Sequence, residues 1–110
     1  MTGHFDVHRN KGALRESIPF AVIVQSAQFD GYRRRVVVPL VRRNVPPANT
    51  ATVGRRMNPT FQIDGMDVVL HPLDMVSVAT DQLGEHIGSL TAQGQAISDA
   101  LDELLTRSWD

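Results

Sequence analysis

The stretch Arg34-Arg35-Val36-Val37-Val38-Pro39-Leu40-Val41 decides how the rest of this chain folds. Five of its eight residues are aliphatic and most of these are β-branched, which favours an extended strand. These aliphatic residues predict that the strand is central to the core. The strand over residues 18–25 is predicted to be buried on both faces. Pro39 lacks the amide hydrogen that a ladder needs, and it therefore predicts an edge position or a bulge.

The other predicted strands are short and are separated by turn residues. They cover residues 3–8, 18–25, 60–63 and 66–71, with a further short strand or turn at 74–78. Asp64-Gly65 lies between two of them and has the chemistry of a two-residue hairpin turn. The segment from Arg42 to Asn58 shows no periodic pattern and is predicted to be a long connection.

Two helices are predicted after the strands. The first is short, is capped by Asp81 and runs through Gly84 to Leu90. The second is amphipathic, starts near Gln95 and frays near Thr106 or Arg107. Its apolar face is formed by Ile97, Ala100, Leu101, Leu104 and Leu105, and its polar face by Ser98, Asp99, Asp102 and Glu103. Together these elements predict a mainly β single domain over residues 1–110, a small twisted barrel of about five antiparallel strands closed by helices.

The composition excludes several classes of protein. The 110 residues are 42% apolar and 21% charged, which is ordinary for a globular domain, and they include no cysteine. Disulfides, thiolate metal sites and cysteine nucleophiles are therefore excluded. The first residues lack the layout of a signal peptide, and the apolar runs are too short to span a bilayer. We expect a cytoplasmic protein without membrane association.

Charge is distributed very unevenly along the chain. Residues 31–63 contain seven arginines and no acid, whereas residues 64–110 contain nine acids and one base. The arginines are Arg33, Arg34, Arg35, Arg42, Arg43, Arg55 and Arg56. Because guanidinium groups bind phosphate in a bidentate way, they form a candidate anion or nucleic-acid contact. The alternative is two solvated faces, and a pI near 6.4 without interleaved aromatic residues argues against general nucleic-acid affinity.

No enzyme signature is found in the sequence. It contains no Gly-rich phosphate loop, nucleophile elbow or His-rich metal motif. His4 and His8 share a strand face but lie about 13 Å apart along it, which is too far for one metal ion. His71 and His86 are expected to lie alone. We therefore expect no catalytic residue, no metal and no cofactor.

The only tryptophan, Trp109, is the penultimate residue and belongs to a short tail with Ser108 and Asp110. Full burial of such a large side chain is worth about 1.5–3 kcal/mol, so leaving it in water is unfavourable. It either folds back onto its own domain or packs on a partner, where tryptophan is a frequent hot-spot residue.

Several runs of this chain form a recognisable set. They are Val24-Gln25-Ser26, Asp30, Arg34-Arg35-Val36-Val37-Val38-Pro39-Leu40, Asn58-Pro59, Ile63, Asp74-Met75-Val76-Ser77-Val78, Leu83-Gly84-Glu85, and Ile97, Ala100 and Leu101. Together they resemble the CcdB toxins of bacterial toxin–antitoxin modules. The similarity covers nearly the whole chain in the right order. It implies a five-stranded SH3-like barrel with a C-terminal helix, assembled as a homodimer.

The resemblance also implies a function by binding and not by catalysis. Such a toxin binds the gyrase A component of DNA gyrase and stabilises the state in which DNA is cleaved. A cognate antitoxin with a disordered C-terminal tail neutralises it, and the complex represses its own operon at the operator DNA, an arrangement associated with plasmid maintenance. The family's gyrase contacts are a C-terminal tripeptide that begins with tryptophan and an isoleucine pair after the second strand. When the last helix is aligned with the family, the tripeptide falls on residues 106–108, and Trp109 follows three residues after the family's tryptophan position. The resemblance therefore implies a target contact through Ser108, Trp109 and Asp110, together with Gln28 and Phe29, which replace the isoleucine pair.

Two alternatives remain open. One is a MazF-like, ribosome-independent endonuclease of messenger RNA, a family that shares the barrel. Its Gly-Arg-Arg-Pro segment is similar to Gly31 followed by Arg33 to Arg35, with Val36 in place of the proline. An arginine paired with a serine or threonine would then perform the acid–base chemistry. The other alternative is a CcdB-fold protein with altered or lost gyrase activity, kept for antitoxin binding and repression.

Overall fold

The computed structural model describes residues 4–25, 33–43 and 56–105 of the chain. They form seven strands and one α-helix: β1 (Asp6–Asn10), β2 (Phe20–Ile23), β3 (Arg34–Arg42), β4 (Thr60–Ile63), β5 (Met66–Leu70), β6 (Val76–Ala79), β7 (Leu83–Ser89) and α1 (Gly94–Leu105). Short 3₁₀ turns lie at Pro72–Asp74, Thr80–Gln82 and Thr91–Gln93. The prediction of a mainly β barrel with a C-terminal helix is confirmed, although the described part of the chain already contains more than five strands.

All strand pairs are antiparallel and belong to one curled sheet. Its order is β4-β5-β3-β2-β1-β7, and β6 pairs with β3 beside this path. As predicted, β3 is central: it pairs with β2 on one side, and with β6 and then β5 on the other. A nine-residue strand therefore holds three neighbours in register.

Pro39 lies neither on an edge strand nor at a bulge, contrary to the prediction. It is in register with Ala21 of β2, and its carbonyl accepts a hydrogen bond from the amide of His71. The amide and carbonyl of a strand residue point to the same side, so the nitrogen of Pro39 also faces that side. There the partner changes from β6, whose pairing ends at Val37, to β5, whose pairing begins at Leu40. Pro39 therefore lies between the segment of β3 that pairs with β6 and the segment that pairs with β5, where its missing amide hydrogen breaks no strand pairing.

The hairpin of β4 and β5 forms as the sequence predicts. Asp64 and Gly65 have φ angles of 54° and 76°, the left-handed conformation that a two-residue hairpin turn requires. The first strand starts later than predicted because Phe5 also has a positive φ, of 67°, which interrupts the extended backbone before Asp6.

The predicted helix from Asp81 to Leu90 is wrong. Thr80–Gln82 is a 3₁₀ turn, and Leu83–Ser89 is strand β7, which pairs with β1. Two glycines in this segment weaken a helix, and Gly84 permits close approach to the partner strand. A Cβ at Gly84 would lie 2.6 Å from the carbonyl oxygen of Arg9.

The core lies between the concave face of the sheet and α1. It includes Phe20, Val22, Val38 and Leu40 from the central strands, and Ile97 and Ala100 from the helix. Because side chains alternate along a strand, Ile23 and Val37 occupy the opposite face, where both are also buried. Among the described residues, no helix has the length and apolar character needed to cross a membrane.

Candidate functional site

The five residues predicted to contact a target lie outside the described residues. Gln28 and Phe29 fall between β2 and β3, and Ser108, Trp109 and Asp110 follow α1. Their roles stay predictions, but the elements that lead to them are described.

Helix α1 becomes progressively more exposed towards its C-terminal end. Ile97 and Ala100 are fully buried, and Leu101 and Leu104 are half-buried. Leu105, predicted to belong to the buried stripe, is 61% exposed. The helix therefore packs on the barrel with its first turns, while its last residue lies in solvent. The last described residue of the chain, Leu105, is thus exposed to solvent.

The polar face of α1 is more engaged than the sequence suggests. Arg56 lies 3.6 Å from a carboxylate oxygen of Asp99 and 3.4 Å from one of Glu103. These two acids are one helical turn apart, so a single guanidinium spans both. The contact connects the segment before β4 to the middle of the helix. Arg56 is therefore already paired with acids of its own chain.

The arginines that enter β3 do not form one cationic surface. Arg35 is only 2% exposed, so it is not available to a ligand in solvent. Its neighbour Arg34 faces the other way and donates through Nε to Ser77 Oγ at 2.9 Å, and through Nη2 to the Ser77 carbonyl at 2.8 Å. Arg33 is exposed. The alternation of side chains along a strand explains the split.

Arg42 and Arg43 lie at the opposite end of β3, roughly 26 Å along the strand from Arg34. Arg55 lies outside the described residues. The seven arginines predicted as one contact are therefore distributed over at least three places: the start of β3, its end and the polar face of α1.

Arg9, which no sequence motif marks, connects three strands. It lies 3.1 Å from Glu85 of β7 and 3.2 Å from Asp64 in the β4–β5 turn. Its guanidinium also lies over the ring of Phe20, 5.7 Å from the centroid. The hydrogen bond to Glu85 raises the pKa of Arg9, desolvation opposes this, and the hydrogen bond to Asp64 adds to it. Arg9 of β1 thus links the outer strand β7 to the β4–β5 turn.

The prediction that His86 lies alone is wrong. It is in register with His8, and the two rings meet edge-on with centroids 5.3 Å apart. His86 Nε2 is also 3.5 Å from Asp6 Oδ2. His8 is buried, with Nδ1 3.0 Å from the carbonyl of Gly84. Within the described ranges, no group of three or more metal-ligating side chains is placed to hold an ion.

The family model of the CcdB protein matches residues 4–106. The chain belongs to the CcdB family. This confirms the resemblance that the sequence runs indicate and makes the protein a member of a toxin family of toxin–antitoxin modules. No curated protein sequence matches it significantly.

Two solved structures similar to this CcdB-family chain are described as endoribonucleases. One, from a mycobacterial species in complex with its cognate antitoxin, has a TM-score of 0.70 at 15% identity, over 98% of this chain and 96% of that one. Another, also mycobacterial, has a TM-score of 0.67 at 16% identity, over 98% and 94%. At such low identity these likenesses establish the fold that the CcdB-family chain shares with them.

Proposed function

We propose that this CcdB-family toxin acts by binding the gyrase A component of DNA gyrase as a homodimer and stabilising the state in which DNA is cleaved. A cognate antitoxin with a disordered C-terminal tail neutralises it, and the complex represses the operon at operator DNA. The proposal includes a cytoplasmic location, where gyrase acts. The observation that carries it is the family match over nearly the whole chain.

The structure of α1 supports a target contact through the tail. The buried residues Ile97 and Ala100 fix the helix on the barrel, whereas Leu105 is exposed where the described helix ends. Trp109 follows only four residues later. Tryptophan is a frequent hot-spot residue at protein interfaces, which favours Trp109 as the contact. A poison needs only to bind one state of its target better than the others.

A gyrase reaction tests this proposal directly. Purified protein added to a supercoiling assay inhibits it and accumulates cleaved DNA, and addition of the cognate antitoxin reverses both effects. If supercoiling and cleavage are unaffected while a known gyrase poison acts in parallel, the proposal fails. Normal growth on expression without antitoxin, together with retained operator binding by the complex, favours the CcdB-fold protein with altered or lost gyrase activity.

Ribonuclease activity is the second candidate. It is supported by the fold shared with mycobacterial endoribonucleases and by the exposed contact of Arg34 with the hydroxyl of Ser77. The MazF-like alternative requires an arginine paired with a serine or threonine, and the Arg34–Ser77 contact is a candidate for that pair. Incubation with total RNA tests it: cleavage that is lost in Ser77→Ala and Arg34→Gln supports an enzyme, and intact RNA at high protein concentration excludes it.

A further inference from the structure

A cationic cleft lies where the end of β3 meets the β4–β5 turn. It has a volume of about 470 Å³ and is lined by Arg42, Arg43, Gly65, Met66 and Asp67. Small-molecule sites commonly measure about 300–1,000 Å³, so this cleft has room for a nucleotide-sized group. None of these five residues belongs to the tail on which the proposed gyrase contact depends.

The two arginines are placed by regular backbone contacts. Arg42 is in register with Val68 of β5, and the amide of Arg43 donates to the carbonyl of Asp67 at 3.2 Å. Arg42 Nε donates to the carbonyl of Glu16 at 2.6 Å, which orients its guanidinium beside the cleft. Arg43 is exposed, and its side chain has no hydrogen bond or ion pair with any residue that the structure describes.

The acids around the cleft do not neutralise these cations. Asp67 is exposed, and its carboxylate forms no ion pair with either of the two described arginines that line the cleft. Asp64, in the turn, is instead bound to Arg9 at 3.2 Å. Along the chain, no acid occurs from Arg43 to Ile63. The five lining residues therefore carry two positive charges against one negative charge, and the two guanidinium groups supply forked sets of hydrogen-bond donors.

We propose that this cleft binds the phosphodiester backbone of a nucleic acid, with Arg42 as the oriented donor and Arg43 as the exposed one. Arginine matches phosphate geometry in a bidentate way, and backbone contacts of this kind do not depend on base sequence. Asp67 faces the same anion and opposes its binding. The proposal does not depend on gyrase as the target, because the contact is with nucleic acid alone.

Fluorescence anisotropy with the full chain tests the proposal. One labelled probe is a short single-stranded RNA with 2′-O-methyl groups, which resists cleavage through the 2′-hydroxyl, and the other is a DNA duplex. We expect Arg43→Gln to weaken binding of the preferred probe about tenfold and to lower its salt slope by about one unit. We expect Asp67→Asn to strengthen binding, because it removes the opposing carboxylate. The probe that responds identifies RNA or duplex DNA as the source of the phosphate.

The matched control is Arg33→Gln, which removes the same charge from an exposed position roughly 30 Å away along β3. It leaves binding nearly unchanged if the cleft is the site. An equal loss in Arg33→Gln and Arg43→Gln shows only general attraction and overturns the proposal. Failure of both probes to bind, or no strengthening in Asp67→Asn, overturns it as well. Circular dichroism confirms that each variant is folded.

Discussion

Gly94 packs directly against the ring of Phe5: a Cβ added at Gly94 would lie 2.7 Å from Cε2 of Phe5. The contact joins the first residue of α1 to the residue that precedes β1. Phe5 is buried, has a φ of 67°, and accepts a hydrogen bond from the amide of Leu90. The backbone of Phe5 is thus fixed next to the helix, and its buried ring has little space into which it could move.

We expect Gly94→Ala to destabilise the fold by about 1–3 kcal/mol, as overpacking of a close contact does. The sign of this change in the free energy of unfolding is informative. Alanine is a better helix former than glycine, so without the contact to Phe5 the substitution would stabilise α1. Gly88→Ala is the control: a Cβ there has nothing within 4 Å, and we expect a change within about 0.5 kcal/mol. Urea denaturation measures both. A more stable Gly94→Ala variant would show that Phe5 moves aside easily.

The burial gradient along α1 predicts different costs for two apolar positions. Ile97 is fully buried, and we expect Ile97→Ala to lower the free energy of unfolding by about 2–5 kcal/mol through the cavity that it leaves. Leu101 packs on the core but is only partly buried, so Leu101→Ala costs less. Equal losses at both positions, measured by thermal and urea unfolding, would mean that the helix is covered along its whole length.

Arg56 and the acids of α1 offer a test of how the helix is held. A double-mutant cycle with Arg56→Gln and Glu103→Gln is expected to give a coupling of about 0.2–1 kcal/mol, since both side chains are partly exposed. The coupling falls as salt is added, because exposed charges are screened. A coupling that is zero at low salt would show that this contact contributes nothing to stability.

Local chemistry explains which elements the sequence predicts well. Asp64-Gly65 favours the left-handed backbone of a tight hairpin turn through its own residue types, and the aliphatic run of β3 is driven to be buried by its own composition. The helix predicted over Leu83–Ser89 is wrong because the conformation of this segment depends on a distant strand. It pairs with β1, and Arg9 and Glu85, which are in contact, are separated by 76 residues. A pattern within residues 83–89 cannot predict that this segment pairs with β1.

The candidate site shows the same limit. Seven arginines in one stretch of sequence predict one charged surface, but strand alternation buries Arg35 while Arg34 binds Ser77. Arg9 carries no local signal, since its partners Glu85 and Asp64 are 76 and 55 residues away. The cleft at Arg42 and Arg43 also appears only when β5 is placed beside the end of β3. The number of charged residues follows from the sequence. Which of them lie together depends on the strand register of the sheet, which the sequence does not give.

The proposed mechanism makes its sharpest prediction at Trp109. Trp109→Ala is expected to abolish gyrase inhibition and growth arrest, because the indole is the large apolar group that follows the exposed end of α1. The free energy of unfolding of Trp109→Ala differs from that of the wild type by less than about 0.5 kcal/mol if the side chain contacts a partner and not its own barrel. Ile97→Ala is the control with the reverse effect: this variant loses stability but still inhibits gyrase at temperatures where it remains folded. Trp109→Phe keeps part of the inhibition, since a smaller aromatic ring still fills the contact. A large loss of stability in Trp109→Ala would instead place the indole in the core of its own chain and contradict a target contact through the tail.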